Sequence, residues 1–206
     1  MPKGSPERTA ARKEEIIRAC EKLYRTMSFR EITLKDIGNE TSFSRPTIYN
    51  YFQTKEEIFL ALFAEEYDRW NEDLEEIITG HDKLTHAELA GLIARSLEKR
   101  EQLLKLIAMN NFDMEANSRE EMLTAFKRSY GQSLAGVDRI LIKFCPEMDA
   151  AARQNFIYVF FPFMFGIYPY TTVTEKPRNA MQEAGVSFVY QSVYELTYSC
   201  LMRLLG

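Results

Sequence analysis

The sequence predicts an all-α chain, and three observations carry that reading. Apolar residues recur at helical spacing through most of the 206 residues. A Ser or Thr followed three places later by an acid, the signature of a helix start, occurs at Thr33/Asp36, Thr54/Glu57, Thr85/Glu88 and Ser118/Glu121. One apolar stripe, from Ile58 to Ile78, continues far enough for a helix of about 25 residues, about 37 Å long.

At 46% apolar residues the chain can bury a proper core, as one large or two small domains. Net charge is −4, but it is unevenly spread. Up to Lys55 there are 11 basic and 7 acidic residues; after it there are 15 and 23. A basic head on an acidic body fits a nucleic-acid-binding part joined to a larger part with another task. Ordinary surface variation would give similar numbers. Cys20, Cys145 and Cys200 are odd in number, far apart and set in apolar helical patterns, so they read as reduced thiols of a cytosolic protein. Residues 1–6 read as a short polar tail rather than a signal peptide. The most apolar run, Phe156 to Tyr170, is shorter than the about 20 residues a membrane span needs and contains Pro162. A cytoplasmic protein with no membrane partner is expected.

Ser5-Pro6 can open the first helix, whose apolar face carries Ile16, Ile17, Cys20, Leu23, Tyr24 and Met27. Arg8, Arg12 and Lys13 near its start are either phosphate contacts or a solvated basic end. Thr33 with Asp36 caps a second helix that turns Leu34 and Ile37 inward. After a turn at Thr41 to Phe43, Ser44 is a plausible N-cap and Pro46 falls in a first turn, where a missing N–H costs little. Thr54 starts the next helix so soon that this third one has room for about two turns. So short a helix needs clamping by neighbours. Its exposed polar residues need a purpose, and reading a groove of DNA would be one.

From Thr54 the long helix runs through Phe59, Leu62, Phe63, Tyr67, Trp70 and Leu74 to Gly80, with Glu65, Glu66, Asp68, Glu72, Asp73, Glu75 and Glu76 read as a solvated surface. Later helices follow through Leu89 to Leu97, Leu103 to Met109, Leu123 to Phe144 (stopped by Pro146), Phe156 to Ile167 (opened by Asp149, kinked at Pro162) and Val186 to Leu204. Tyr170 to Pro177 reads as a loop. The Phe156 helix is apolar on nearly every side, which implies a partner surface as well as a core.

The run Thr-Ile-Tyr-Asn-Tyr-Phe-Gln-Thr-Lys-Glu-Glu-Ile-Phe, residues 47–59, resembles the TetR family of bacterial transcriptional regulators, at the end of its recognition helix and the entry to the next. Ile32 to Ile37 looks like the first helix of that family's helix-turn-helix. The resemblance is specific over about Arg8 to Leu62. Two positions depart from the family pattern. Ser28 stands before Phe29 where the family has Gly, and Thr41-Ser42-Phe43-Ser44 replaces Ala-Gly-Val-Ser at the turn. Gly takes a left-handed backbone most easily, so Ser42 bears on the turn geometry.

The resemblance implies an N-terminal three-helix helix-turn-helix domain, residues 1–64, joined by the long helix to a larger helical ligand-binding and dimerisation domain, residues 65–206, with about nine helices in all. It implies DNA contacts from Thr33, Ser44, Arg45, Pro46, Thr47, Tyr49, Asn50, Tyr51 and Lys55. Arg45, Thr47 and Asn50 would face base edges; Tyr49, Tyr51 and Lys55 would meet phosphate. Simple packing is the competing reading for each tyrosine. The implied partners are double-stranded DNA with a palindromic operator, a small-molecule effector and a second copy bound through the last two helices.

No catalytic constellation stands out. His81 and His86 lack a nearby nucleophile and helical metal-ligand spacing, the cysteines lack metal spacing, and there is no glycine-rich phosphate loop. No enzyme activity, cofactor or metal is expected. Trp70, Met109, Asn110, Phe112, Phe126, Tyr130, Phe163 and Tyr168 are candidates to line a largely apolar ligand site, with ordinary core as the competing reading of each. The resulting expectation is a dimeric, ligand-released repressor. The alternatives are a TetR-like activator and a protein-interaction module working through the aromatic C-terminal helices.

Overall fold

The computed structural model describes residues 5–109 and 111–206. Among them are eleven helices and no strand: α1 (Pro6–Tyr24), α2 (Leu34–Asn39), α3 (Arg45–Ile48), α4 (Lys55–Gly80), α5 (His86–Glu98), α6 (Glu101–Ile107), α7 (Asn111–Ala116), α8 (Glu120–Phe144), α9 (Ala150–Thr171), α10 (Glu175–Glu183) and α11 (Val193–Leu205). That is two more than the apolar periodicity indicates. Helix α7 occupies the polar stretch after Met109, and α10 lies inside and beyond the segment read as a loop. Helix α10 buries no residue, so no apolar stripe announced it. Its end is a Schellman cap: Gly185 sits at φ +66°, its N–H donates to Gln182 O at 3.1 Å, and the Val186 N–H donates to Met181 O at 3.0 Å.

The helix-start signals meet different fates. Thr33 and Thr85 form complete capping boxes with Asp36 and Glu88. Ser192 forms another with Glu195 at α11, so the last helix begins at Val193, later than the apolar pattern from Val186 indicates. Ser118 does not cap α8; its hydroxyl donates back to the Met114 carbonyl at 2.7 Å. Thr54 Oγ1 accepts from the Glu57 N–H at 3.2 Å, but the Glu57 carboxylate accepts from the Gln53 N–H at 2.7 Å.

The chain divides into two compact units. The first is residues 1–65 with 110–129, so α7 and the start of α8 join the N-terminal helices; the sequence reading placed that segment in the second domain. In this unit Tyr24 and Phe29 both set their rings edge-on against Phe59, and Phe63 lies against Phe126 at 4.7 Å. Its polar centre is Glu57, whose side chain is fully buried. The Glu57 carboxylate accepts from Arg119 three times: from Nε at 2.6 Å, Nη2 at 2.8 Å and the backbone N–H at 3.1 Å. Arg119 Nη2 also donates to the Tyr51 carbonyl at 3.2 Å, next to α3. Burial alone would push the Glu57 carboxyl up. The Arg119 guanidinium and the amides of Gln53 and Arg119 outweigh it and hold the group below its ordinary value.

The second unit is residues 66–109 with 130–206. Here α11 packs on α5 and α9, and α6 packs on α5 and α9. Trp70 is buried, donates from Nε1 to Ser96 Oγ at 3.0 Å and faces Phe161. Tyr130 touches both Tyr67 and Phe161. Gly136 lets α8 approach α4, since a Cβ there would stand 3.2 Å from the Leu74 side chain. The acidic residues of α4 are not all solvated, contrary to the sequence reading. Asp73 is buried against Arg100 at 2.6 Å, Glu66 is buried against Arg69, and in the first unit Glu65 meets Arg18. Low-dielectric surroundings make such pairs obligatory once the carboxylates are buried.

Helix α9 is buried on one side only. Phe156, Phe160, Phe161, Met164 and Ile167 face inward, while Tyr158, Val159 and Phe165 stay exposed. No single described helix is long and apolar enough to cross a membrane; α9 and α10 pass together on length and composition, but they are bent by 84° at their break.

Replacing Glu57 with Gln removes the negative charge and one of the two acceptor oxygens that hold Arg119, and should cost about 2–3 kcal/mol in denaturant melts. This lies below the range for fully buried pairs because Arg119 keeps part of its side chain in water. Because the folded carboxyl is depressed, its stabilisation is complete above the unfolded value of about 4.3 and is lost as pH falls through the folded one. The stability gap between wild type and Glu57→Gln should therefore hold from pH 7 to about pH 5 and start to shrink below about pH 4, as the folded carboxyl becomes protonated. A gap independent of pH would show that the ionised carboxylate is not what holds the unit.

Candidate nucleic-acid interface

Helices α2 and α3 form a compact pair. Ile37 and Ile48 are fully buried between them and their neighbours, with Ile32 and Phe52 closing the ends. Gly38 permits the contact: a Cβ there would lie 3.3 Å from Arg45 Cβ and 3.6 Å from Ile48 Cδ1. Helix α3 has four residues, one turn rather than the two expected. Ser44 occupies the N-cap position with extended backbone, but its hydroxyl makes no capping bond and lies 3.3 Å from Thr47 Oγ1. Beyond Ile48 the chain tightens, with the Tyr51 and Phe52 N–H groups both donating to the Ile48 carbonyl. This is how the segment stops in time for α4.

The turn between them contains no left-handed residue; no non-glycine among the described residues has positive φ. Side chains do the work instead. Thr41 Oγ1 bridges the carbonyls of Gly38 at 2.9 Å and Phe43 at 3.0 Å. The Ser42 N–H donates to the Glu15 carboxylate of α1. That bond to the Ser42 amide is the main cause of the lowered Glu15 carboxyl value. The Arg12 guanidinium lies over the Phe43 ring, 4.4 Å from its centroid. Sequence reading did not single out Glu15 or Gly38, and it gave Glu57 only as the capping partner of Thr54, because each acts through a tertiary partner that local pattern does not reveal.

Arg45, Pro46, Tyr49 and Asn50 are exposed on α3 and the turn after it, while Thr47 and Tyr51 are half-buried. Arg45 Nη2 donates to Tyr49 Oη at 3.1 Å, which holds the guanidinium over the α3 surface. Thr33, Arg45 and Lys55 line one open groove together with Ile32, Leu34, Thr54 and Glu56. Lys55 is already engaged there: its ammonium donates to the Phe29 and Ile32 carbonyls at 2.7 and 3.0 Å and lies over the Phe29 ring. Two of its three donors thus stitch the loop before α2 to the start of α4.

The candidate ligand residues are spread over both units. Phe112, exposed at 83%, and Phe126, buried against Phe63, belong to the first. Trp70, Met109, Tyr130, Phe163 and Tyr168 belong to the second. Of these, Trp70 and Tyr130 converge on Phe161, and Phe163 stacks on Phe160. Asn110 lies outside the described residues.

Two family descriptions match the chain. "Bacterial regulatory proteins, tetR family" matches residues 16–62, and "Tetracyclin repressor-like, C-terminal domain" matches residues 64–197. The chain belongs to the TetR family. Its helix-turn-helix is α2, the Thr41–Phe43 turn and α3. A relative, the uncharacterised helix-turn-helix-type transcriptional regulator YfiR of Bacillus subtilis (strain 168), is 36% identical over 58 residues, 28% of each chain. Among solved structures, the fatty acid degradation regulator FadR of Bacillus halodurans is 16% identical and superposes over 100% of this chain and 97% of its own, with a TM-score of 0.60. The FadR repressor of Thermus thermophilus, solved with lauroyl-CoA, is 18% identical over 94% and 93%, with a TM-score of 0.58. At such identities these two structures establish the fold of this TetR-family regulator.

Replacing Gly38 with Val places branched carbon where the Arg45 backbone already approaches. The TetR-type head should lose about 1–3 kcal/mol of stability, read as a lower denaturation midpoint. An unchanged midpoint would mean that α2 and α3 do not need this close approach.

Proposed function

We propose that this TetR-family regulator is a dimeric repressor that binds a palindromic operator and leaves it when a small, largely apolar ligand binds. The observation that carries the reading is the exposed row Arg45, Pro46, Tyr49 and Asn50 on a turn whose other face is locked by Ile48. A one-turn helix has no stability of its own, and this one is held so that it presents a guanidinium and an amide outward. Arg45 donates two hydrogen bonds to a guanine edge, Asn50 pairs with an adenine edge, and Thr47 and Pro46 touch a thymine methyl. Thr33, Ser44, Tyr49, Tyr51 and the remaining donor of Lys55 meet phosphate. In this reading Tyr49 first holds Arg45 and then releases it to the base.

Dimerisation is supported by α9. Tyr158, Pro162, Phe165 and Pro169 are exposed at i, i+4, i+7 and i+11, an apolar stripe flanked by Val159. Such a patch on a helix marks an interaction surface, and a two-fold partner is the commonest occupant. The effector we propose carries a long apolar chain, with acyl-CoA thioesters, apolar at the acyl end and charged at the other, as first candidates because the Thermus thermophilus protein was solved with lauroyl-CoA. It acts by binding the DNA-free state better than the DNA-bound one, so operator DNA weakens ligand binding by the same factor. The protein is expected to work in the cytoplasm, where its DNA is.

Selection from a random DNA pool at physiological salt should return a palindrome with half-sites about 34–36 Å apart. Recovery of no specific sequence from a dimeric sample would overturn the repressor reading. Arg45→Ala should lower specific affinity by about 1–3 kcal/mol and relax one base position. Equal losses on specific and random DNA would reassign Arg45 to phosphate. Phe165→Glu should convert the dimer to a folded monomer in light scattering and weaken operator binding. A Phe165→Glu variant that stays dimeric would move the interface elsewhere, and a wild-type monomer would favour the α9 stripe as a docking face for a different protein.

A further inference from the structure

We propose that His86, Cys145 and Glu147 form a binding site for a zinc-class divalent cation. The three residues come from the first position of α5 and from the turn between α8 and α9. Their ligand atoms, the His86 imidazole nitrogen, Cys145 Sγ and a Glu147 carboxylate oxygen, all lie within 4.8 Å of one another. His86 Nε2 and Glu147 Oε1 are already 3.0 Å apart although 61 residues separate them in sequence. Spacing along the chain therefore could not reveal the group.

The backbone that holds these donors is fixed on both sides. Thr85 and Glu88 make a complete capping box, which sets the first turn of α5 and with it His86. The Cys145 N–H closes the end of α8 on Leu141 O at 2.9 Å. The Met148 N–H donates to the Cys145 carbonyl at 2.9 Å, a four-residue turn with Pro146 second, where its fixed φ suits the bend. Asp149 then caps α9 on the Ala152 N–H at 2.8 Å, and Arg153 Nη1 donates to the Met148 carbonyl at 3.0 Å. The turn thus presents Cys145 and Glu147, two places apart, towards the start of α5.

The donor set selects the cation. Thiolate, imidazole and carboxylate together suit zinc and its first-row neighbours, whereas magnesium and calcium take oxygen ligands only. Zinc bonds of about 2.0–2.3 Å place tetrahedral donors about 3.5 Å apart, so the present group closes onto a metal with shifts of about 1 Å. Cys145 supplies a buried side to the site and Glu147 an exposed one. Three protein ligands leave a fourth position for water. Burial and the nearby Glu147 push the free Cys145 thiol up, and a bound cation would reverse that. On binding, the Cys145 S–H bond breaks, its proton goes to solvent and sulfur keeps the electron pair for the metal. His86 binds through Nε2 and carries its proton on Nδ1. The cation then ties the start of α5 to the α8–α9 turn within one unit.

The test uses the full chain, without a histidine tag and freed of metal by a chelator, titrated with cobalt(II). The expected result is one equivalent bound, with the near-ultraviolet sulfur-to-cobalt charge-transfer band of a thiolate ligand. Zinc should displace the cobalt and raise the melting temperature by about 5 °C at about 100 times its Kd. Cys145→Ala should abolish the band. The surface variants His86→Gln and Glu147→Gln, which leave the buried thiol in place, should each weaken cobalt binding about 10-fold or more. Absence of the band in the folded wild type overturns the proposal. A band that survives Cys145→Ala, or affinity unchanged in both surface variants, also overturns it. DNA binding is not the readout, so a failed metal site and a failed repressor assignment remain distinguishable.

Discussion

A buried carboxylate can remain in a protein only if something nearby keeps it charged or neutral at acceptable cost. Glu57 meets that constraint through Arg119, and much of the N-terminal unit follows from the solution. The same guanidinium that satisfies Glu57 reaches the carbonyl of Tyr51, and the Glu57 carboxylate accepts from the Gln53 amide. Three segments that would otherwise end loosely, the tail of α3, the entry to α4 and the residue before α8, are thereby joined at one polar point. The Thr54 hydroxyl adds a further tie to the Asn117 carbonyl at 3.1 Å. A recognition turn too short to stabilise itself is thus positioned by residues more than sixty places away in sequence.

This arrangement changes what counts as the DNA-binding part of the chain. The sequence motif ends near Leu62, yet the compact unit includes residues 110–129. A fragment cut at the end of the motif would keep Glu57 and lose its cation. The head is a cassette in sequence terms and not in physical ones. Lys55 makes the same point from the other side, because a residue that looks like a phosphate contact spends most of its donors on Phe29 and Ile32.

The helical class and most helix starts were legible because they rest on local physics. Caps at Thr33 and Thr85 need only four consecutive residues and appear as drawn. Ser118 has the same signature and fails, since its hydroxyl finds the end of α7 and its neighbour Arg119 is taken by Glu57. Helix α10 was illegible because a helix that buries nothing leaves no apolar rhythm. The outward residues of α3 could be picked out because their spacing is local, whereas Gly38 and Glu15 could not, since their importance appears only when α2 meets α3 and α1 meets the turn. The aromatic candidates show a different limit. Helical stripes mark Trp70, Phe126 and Tyr130 as inward-facing, but periodicity does not distinguish a packed core from a cavity wall.

The turn at Ser42 has a consequence for how this chain can change. In a glycine turn one residue solves the bend by itself, and its neighbours are free to drift. Here the same bend is shared among a threonine hydroxyl, a serine amide and an acid borrowed from α1. The serine contributes only its backbone N–H, which any residue except proline would supply, so the side chains that matter to the bend are those of Thr41 and Glu15. Glu15 and Thr41 thus carry the side-chain part of this bend between them, and the acid on α1 belongs to the reading head even though it sits where no base or phosphate is expected.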